Sequence, residues 1–216
     1  MISWLGDNAG TVTSYFLQHV WLATLPLVIA LVLAIPLGWV ARRFGWLHTP
    51  MIGLTGLLYT IPSLALFVVL PLILGTQILD PINVVVALTI YSLALLVRTV
   101  ADGLGSVPGD VEQAATAMGY TGFRRFFSVD LPVAVPVIAA GMRVAAVSNV
   151  SLVAVSALLG VPQLGLLFTD GLNRNYFPPL VAGIVLCVVL ALALDALILL
   201  LTRLLAPWQR IARGTS

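Results

Sequence analysis

Long uncharged runs alternate with short polar breaks along the whole chain. The first run, Val20 to Val40, matches the ~20 residues that cross a ~30 Å hydrocarbon layer as a helix, and it stops at Arg42-Arg43. Pro26 and Pro36 within it are tolerable in a packed membrane helix. A second run, Met51 to Gly75, carries no charge, but Tyr59-Thr60-Ile61-Pro62-Ser63 sets a proline beside hydroxyl groups in its middle, which predicts a kink or a broken helix. After a turn over 76–83 marked by Asp80-Pro81, a third run starts at Val84 and continues through Arg98 and Asp102 towards Leu104. A fourth runs from Pro132 past Gly141, Arg143 and Asn149 to about Leu159, where Gly160-Val161-Pro162 ends it. A link over 163–179, with a short surface helix, leads to a fifth run from Leu180 to Leu201 that contains Asp195.

The pattern therefore predicts an all-α integral membrane protein built as one domain over 1–216, with crossings at about 20–41, 51–75, 84–104, 132–159 and 180–203. Residues 1–18 carry Asp7 and no basic residue, unlike the start of a secretory signal, and are expected to form a short mature tail. The chain is organised around the polar interruption between the third and fourth crossings, at about 111–127. Glu112-Gln113-Ala114-Ala115-Thr116-Ala117-Met118-Gly119 reads as a small-residue helix stopped by a glycine; Arg124-Arg125 follow, and Leu131-Pro132 opens the next apolar segment. A helix lying outside the membrane is expected there.

Composition supports this class and excludes others. Hydrophobic residues make up 61% of the chain, charged residues 8%, and no soluble surface can be built from that mixture. All ten basic residues are Arg, so the net charge of +2 reflects a few placed arginines rather than a nucleic-acid-binding face. Putting Arg42, Arg43, Arg124, Arg125, Arg203, Arg210 and Arg213 on the cytoplasmic side leaves Arg174 alone on the other, so the N-terminus is expected outside and the C-terminus inside. Without lysine the chain cannot supply a phosphate loop of the usual Gly-Lys-Ser/Thr kind, so no ATP site is expected in it. Cys187 is the only cysteine, which excludes an intrachain disulfide. His19 at the outer boundary and His48 between the first two crossings are expected as interfacial or loop residues with no metal or catalytic role.

Ala114-Ala115 with Gly119, then Val129-x-Leu131-Pro132, resembles the EAA loop of permease subunits in bacterial ABC importers. Thr60-Ile61-Pro62-Ser63-Leu64-Ala65-Leu66-Phe67 and Leu131-Pro132-x-Ala134-x-Pro136-Val137-Ile138-Ala139-x-Gly141-x-Arg143 are similar to the osmoprotectant branch, which serves glycine betaine, carnitine and choline. The resemblance implies a type I importer fold and a coupling helix seated in a cleft of an ATPase subunit. It further implies two ATPase chains that bind ATP and Mg, a second permease chain, identical or paralogous, an external substrate-binding protein, and a place in the bacterial inner membrane. On this chain the coupling residues would be Glu112, Gln113, Ala114, Ala115, Met118, Gly119, Arg124 and Arg125; Gln113 stands where the family usually has Glu.

For the translocation path, the break and its neighbourhood offer Tyr59, Thr60, Pro62, Ser63, Phe67, Tyr91, Asn149 and Ser151, because non-helical backbone at membrane depth is tolerated beside a cavity and aromatic faces attract ammonium cations. Ordinary helix packing accounts for the same residue types. Arg143 lies ~16 Å of helix past Pro132 and Asp195 ~12 Å before Arg203, so the two intramembrane charges have similar depths and are candidates to pair. The competing reading is a proton-coupled secondary carrier of a small solute in which Asp195 titrates; an embedded enzyme would need an acid or metal cluster that the scattered acids do not form.

Overall fold

The structure, a computed structural model, describes residues 2–208; Arg210 and Arg213 of the expected C-terminal basic group lie outside the described residues. Regular structure among the described residues is entirely helical: α1 (Ile2–Asp7), α2 (Ala9–Arg43), α3 (Gly45–Thr60), α4 (Ser63–Leu74), α5 (Pro81–Gly105), α6 (Gly109–Ala117), α7 (Gly122–Arg125), α8 (Leu131–Val155), α9 (Leu166–Asn173) and α10 (Phe177–Leu205). A π turn, Phe126–Asp130, joins α7 to α8, and a 3-10 turn, Ser156–Leu159, ends α8. Four stretches are long and apolar enough to cross a membrane: α2, α5, the continuous run Gly122–Leu159, and α10. The pair α3–α4 passes the same test as one unit bent by 99°.

The bend lies at the expected place and has a local cause. Pro62 has no N–H to give the preceding turn and disfavours a helical Ile61, and both residues are extended, with ψ of 128° and 129°. The start of α5 is equally local: Asp80 accepts a hydrogen bond from the Ile82 N–H at 3.0 Å and Pro81 occupies the first turn.

Two boundaries differ from the sequence reading. The first eighteen residues are not a tail: α1 and the start of α2 are helical, and Val12 is buried against Leu164 and Leu167 beside α9. The fourth apolar helix does not open at Pro132, because helix already runs from Gly122. The Leu131 N–H reaches back to the Phe126 carbonyl, one residue further than an α-helix would, and the widened π turn makes room for a proline ring that would otherwise press on the preceding turn.

Helix α5 forms the centre, packed against α2, α3, α4 and α8. Two glycines set the spacing: a Cβ on Gly38 would lie 2.5 Å from Val100 Cγ1, and one on Gly141 would overlap the Thr99 side chain. One end of the bundle carries Arg42, Arg43 and Arg125 around a shared cavity; the other carries Arg174 beside Trp4 and Asn8.

Candidate functional site

The polar interruption forms a helix, a turn and a second helix at the arginine-rich end. Pro108 precedes α6, and Asp110 and Glu112 occupy its first turn, where negative charge suits the helix dipole. Gly119 closes it at φ +81°, with the Gly119 N–H bonded to the Thr116 carbonyl at 3.0 Å and the Tyr120 N–H to the Ala115 carbonyl at 3.1 Å. A left-handed closing residue is why a glycine stands there.

The expected coupling residues divide into two sets. Gln113, Ala114, Met118, Gly119 and Arg124 are exposed, and Arg124 lies over the Tyr120 ring at 4.9 Å. Ala115 is buried and cannot touch a partner. Glu112 and Arg125 turn inward: Arg125 Nε donates to Asp130 Oδ2 at 3.2 Å, its Nη1 reaches Thr116 Oγ1 at 3.4 Å and its Nη2 stands 3.8 Å from Glu112 Oε2. Arg125 thus ties α6 to the foot of α8, while the second Asp130 oxygen, Oδ1, is buried with no hydrogen-bond partner among the described residues. Phe123 and Phe127, 4.9 Å apart, are exposed on the same segment and were missed by the sequence reading. Their signal was available: aromatic residues beside an arginine pair in a polar stretch.

The path candidates are only partly gathered. Tyr59 and Tyr91 meet edge to face at 5.9 Å, and the Tyr91 hydroxyl donates to the Ile61 carbonyl, which lies outside both α3 and α4. Thr60 and Pro62 are exposed at the same break, with Ser63 half-buried. Ser151 is exposed on α8. Phe67 is fully buried among Leu22, Leu88 and Val150, so its large side chain fills the core instead of lining a path. Asn149 is also buried, accepting from Ser92 Oγ at 3.0 Å and donating to the Ala23 carbonyl at 3.1 Å; it pins α8 to α5 and α2.

The intramembrane charges meet. Arg143 Nε and Nη2 donate to the two Asp195 oxygens at 2.6 and 2.9 Å, a bidentate fork joining α8 to α10. His19 is not interfacial: it is fully buried, with Nδ1 3.1 Å from Gln163 Oε1 and Nε2 3.0 Å from the Val150 carbonyl, and it fastens α2 to α8 near the Arg174 end. The sequence signal for that role was absent, because Gln163 lies far along the chain.

Comparison with known proteins agrees with the arrangement. The family of binding-protein-dependent transport system inner membrane components matches residues 27–211. The osmoprotectant import permease protein OsmW of Salmonella typhimurium is 37% identical over 209 residues, covering 95% of this chain and 97% of that protein. The glycine betaine/carnitine/choline transport system permease protein OpuCD of Bacillus subtilis is 30% identical, covering 96% of this chain and 90% of its own length. Among solved structures, a chain of the MetNI methionine ABC transporter in an inward-facing conformation superposes with a TM-score of 0.82 at 19% identity, over 92% of this chain and 98% of that one, which is a likeness of fold. These relatives are permeases of ABC importers, which sets aside the secondary-carrier alternative; Asp195, its proposed titrating group, is engaged by Arg143. With its matched fold, its polar helix between two membrane helices and a profile match over most of its length, the chain belongs to the family of binding-protein-dependent transport system inner membrane components.

Proposed function

We propose that this chain is the permease subunit of an ATP-driven importer of osmoprotectants of the glycine betaine, choline and carnitine class, in the bacterial inner membrane. The observation that carries the reading is the exposed surface of α6 and its turn, with Gln113, Ala114, Met118 and Gly119, at the arginine-rich end of a chain whose relatives import such solutes. The arginine bias puts that end in the cytoplasm, the N-terminus outside and the described C-terminal residues inside, with the bent α3–α4 unit counted as one of five crossings.

The exposed face of α6, widened by Met118, Phe123 and Phe127, is the docking surface for an ATPase subunit, which binds ATP and Mg and hydrolyses the nucleotide. Two permease chains, alike or paralogous, two ATPase chains and an external substrate-binding protein complete the machine. When the ATPase pair closes, α6 moves, and Arg125 passes the displacement to α8. The break at Ile61-Pro62, with Tyr59 and Tyr91, borders the path.

The test is purification of the chain with its co-purifying subunits and reconstitution into proteoliposomes. ATP-dependent uptake of radiolabelled betaine, choline or carnitine, requiring a binding protein, is expected. Uptake by this chain alone on a proton gradient, or absence of any ATPase from the purified complex, would refute the proposal.

A further inference from the structure

Helix α5 is the most enclosed of the long helices, and after Ile82 in its first turn its exposed positions are Arg98, Asp102 and Gly105. Spacings of four and three place them on one stripe, and Tyr91 lies on the same stripe two turns earlier. Arg98 stands about 10 Å of helix in from Gly105, at a depth where a charge facing lipid is costly. Yet its side chain is 67% exposed and that of Asp102 58%. Beside Asp102 the surface opens into a cavity of about 570 Å³, lined by Arg42, His48, Asp102 and Ser106 together with small residues of α2, α3 and α5; Asp102 lies on its wall and Arg98 one turn away from it. Two charges at this depth require water or a polar partner, and the Arg98–Asp102 end of the stripe, beside the charged and polar groups of this cavity, is where that water reaches α5.

The two charges are barely engaged with each other. Arg98 Nε and Asp102 Oδ2 are 3.7 Å apart, too far for a hydrogen bond, in contrast to the bidentate pair of Arg143 and Asp195. Among the described residues Arg98 makes no side-chain hydrogen bond. A guanidinium with free donors and a carboxylate one turn away present both signs of charge to the same water. This arrangement complements a small zwitterion, with its carboxylate forked by Arg98 and its cationic nitrogen beside Asp102.

Resting on the import reading above, we infer that Arg98 and Asp102 form a transient binding site in the cytoplasmic half of the translocation path, selective for solutes that carry a carboxylate together with a quaternary ammonium. A cation without a carboxylate, such as choline, engages Asp102 alone.

The experiment measures ATP-driven uptake of glycine betaine and of choline by the reconstituted complex, at saturating binding protein and solute. Because the binding protein is a separate, unaltered chain, a change in the ratio of the two rates belongs to the permease. Arg98→Gln is expected to lower the betaine-to-choline ratio about tenfold, the change that one lost charge-assisted contact gives, and Arg98→Lys to restore part of it. Asp102→Asn is expected to slow both solutes. Ratios unchanged in Arg98→Gln, or betaine and choline falling together in it, would overturn the assignment while leaving the import reading intact. If the unaltered complex imports neither solute, the import reading fails first and takes this inference with it.

Discussion

Arg125 supplies the sharpest test of how the polar segment is joined to the bundle. Replacing it with Met keeps a long apolar stem and removes the charge. The Asp130 carboxylate, whose side chain is 12% exposed, would then lose the one charged partner it has among the described residues, where its Oδ1 already has no hydrogen bond. A hydrogen bond between charged groups contributes roughly 1.5–3 kcal/mol, and partial exposure of the Arg125 side chain, 28%, brings the expected coupling with Asp130 to the lower end, about 1.5 kcal/mol. The Glu112 contact is longer, at 3.8 Å, and should contribute below ~0.5 kcal/mol. A double-mutant cycle of Arg125→Met with Asp130→Asn, and a second with Glu112→Gln, read by unfolding in detergent, separates the two. In proteoliposomes the Met variant should assemble with the ATPase and hydrolyse ATP, but import fewer solute molecules per ATP. A coupling energy near zero with Asp130, or a wild-type import ratio, refutes the tie; loss of ATPase binding would mean that Arg125 contacts the partner instead.

Three further outcomes are expected. Gly119→Trp and Glu112→Arg should uncouple hydrolysis from uptake without affecting membrane insertion, and normal transport in both would remove α6 from the coupling role; Gly119→Ala, with open space around it, should lose only the ~1 kcal/mol that a left-handed residue costs. Arg143→Asp or Asp195→Arg alone should reduce the folded yield, while the exchanged pair recovers it, as measured by size-exclusion profile; no recovery would mean that each charge has a separate partner. Gly38→Val should destabilise by about 1–3 kcal/mol or more through overlap with Val100, and Val100→Ala should restore part of it, whereas Gly53→Ala, with nothing within 4 Å, should be neutral or slightly stabilising in a thermal unfolding assay.

The long apolar helices were legible because hydrophobic runs and their breakers are local signals, and the Ile61-Pro62 break and the left-handed Gly119 each follow from a single residue's backbone preference. The continuous helix through Pro132 was not legible, since proline is read as a boundary and only the π turn at Phe126–Asp130 reveals how it is absorbed. Burial was harder still. In a chain this apolar the lipid-facing and core-facing positions carry the same residue types, so nothing local separates Phe67, in the core, from Leu72, 83% exposed. Matched depth made Arg143 and Asp195 candidates, but polar pins such as His19 with Gln163 join residues 144 positions apart and leave no periodic trace.

Those pins explain why α8 is suited to carry movement across the bundle. At its foot Asp130 is held by Arg125, farther along Arg143 grips α10, and near the Arg174 end Asn149 and the Val150 carbonyl are fastened to α2 and α5. A push on α6 reaches α8 through one side chain, Arg125, which is itself partly exposed, whereas the far end is anchored by several buried groups whose loss would leave unpaired polar atoms on three helices. The mobile and fixed ends are therefore set by the number of pins: one arginine at the foot, and two buried side chains bonded to three partners at the far end. Rotation about the Asn149 end, with α10 carried along by the Arg143 fork, is the displacement this distribution favours, and spin-label distances from α8 to α2 should change more at the Asp130 end than at the Asn149 end when ATP is added to the complex. Equal changes at both ends would mean that the anchors yield as readily as the foot.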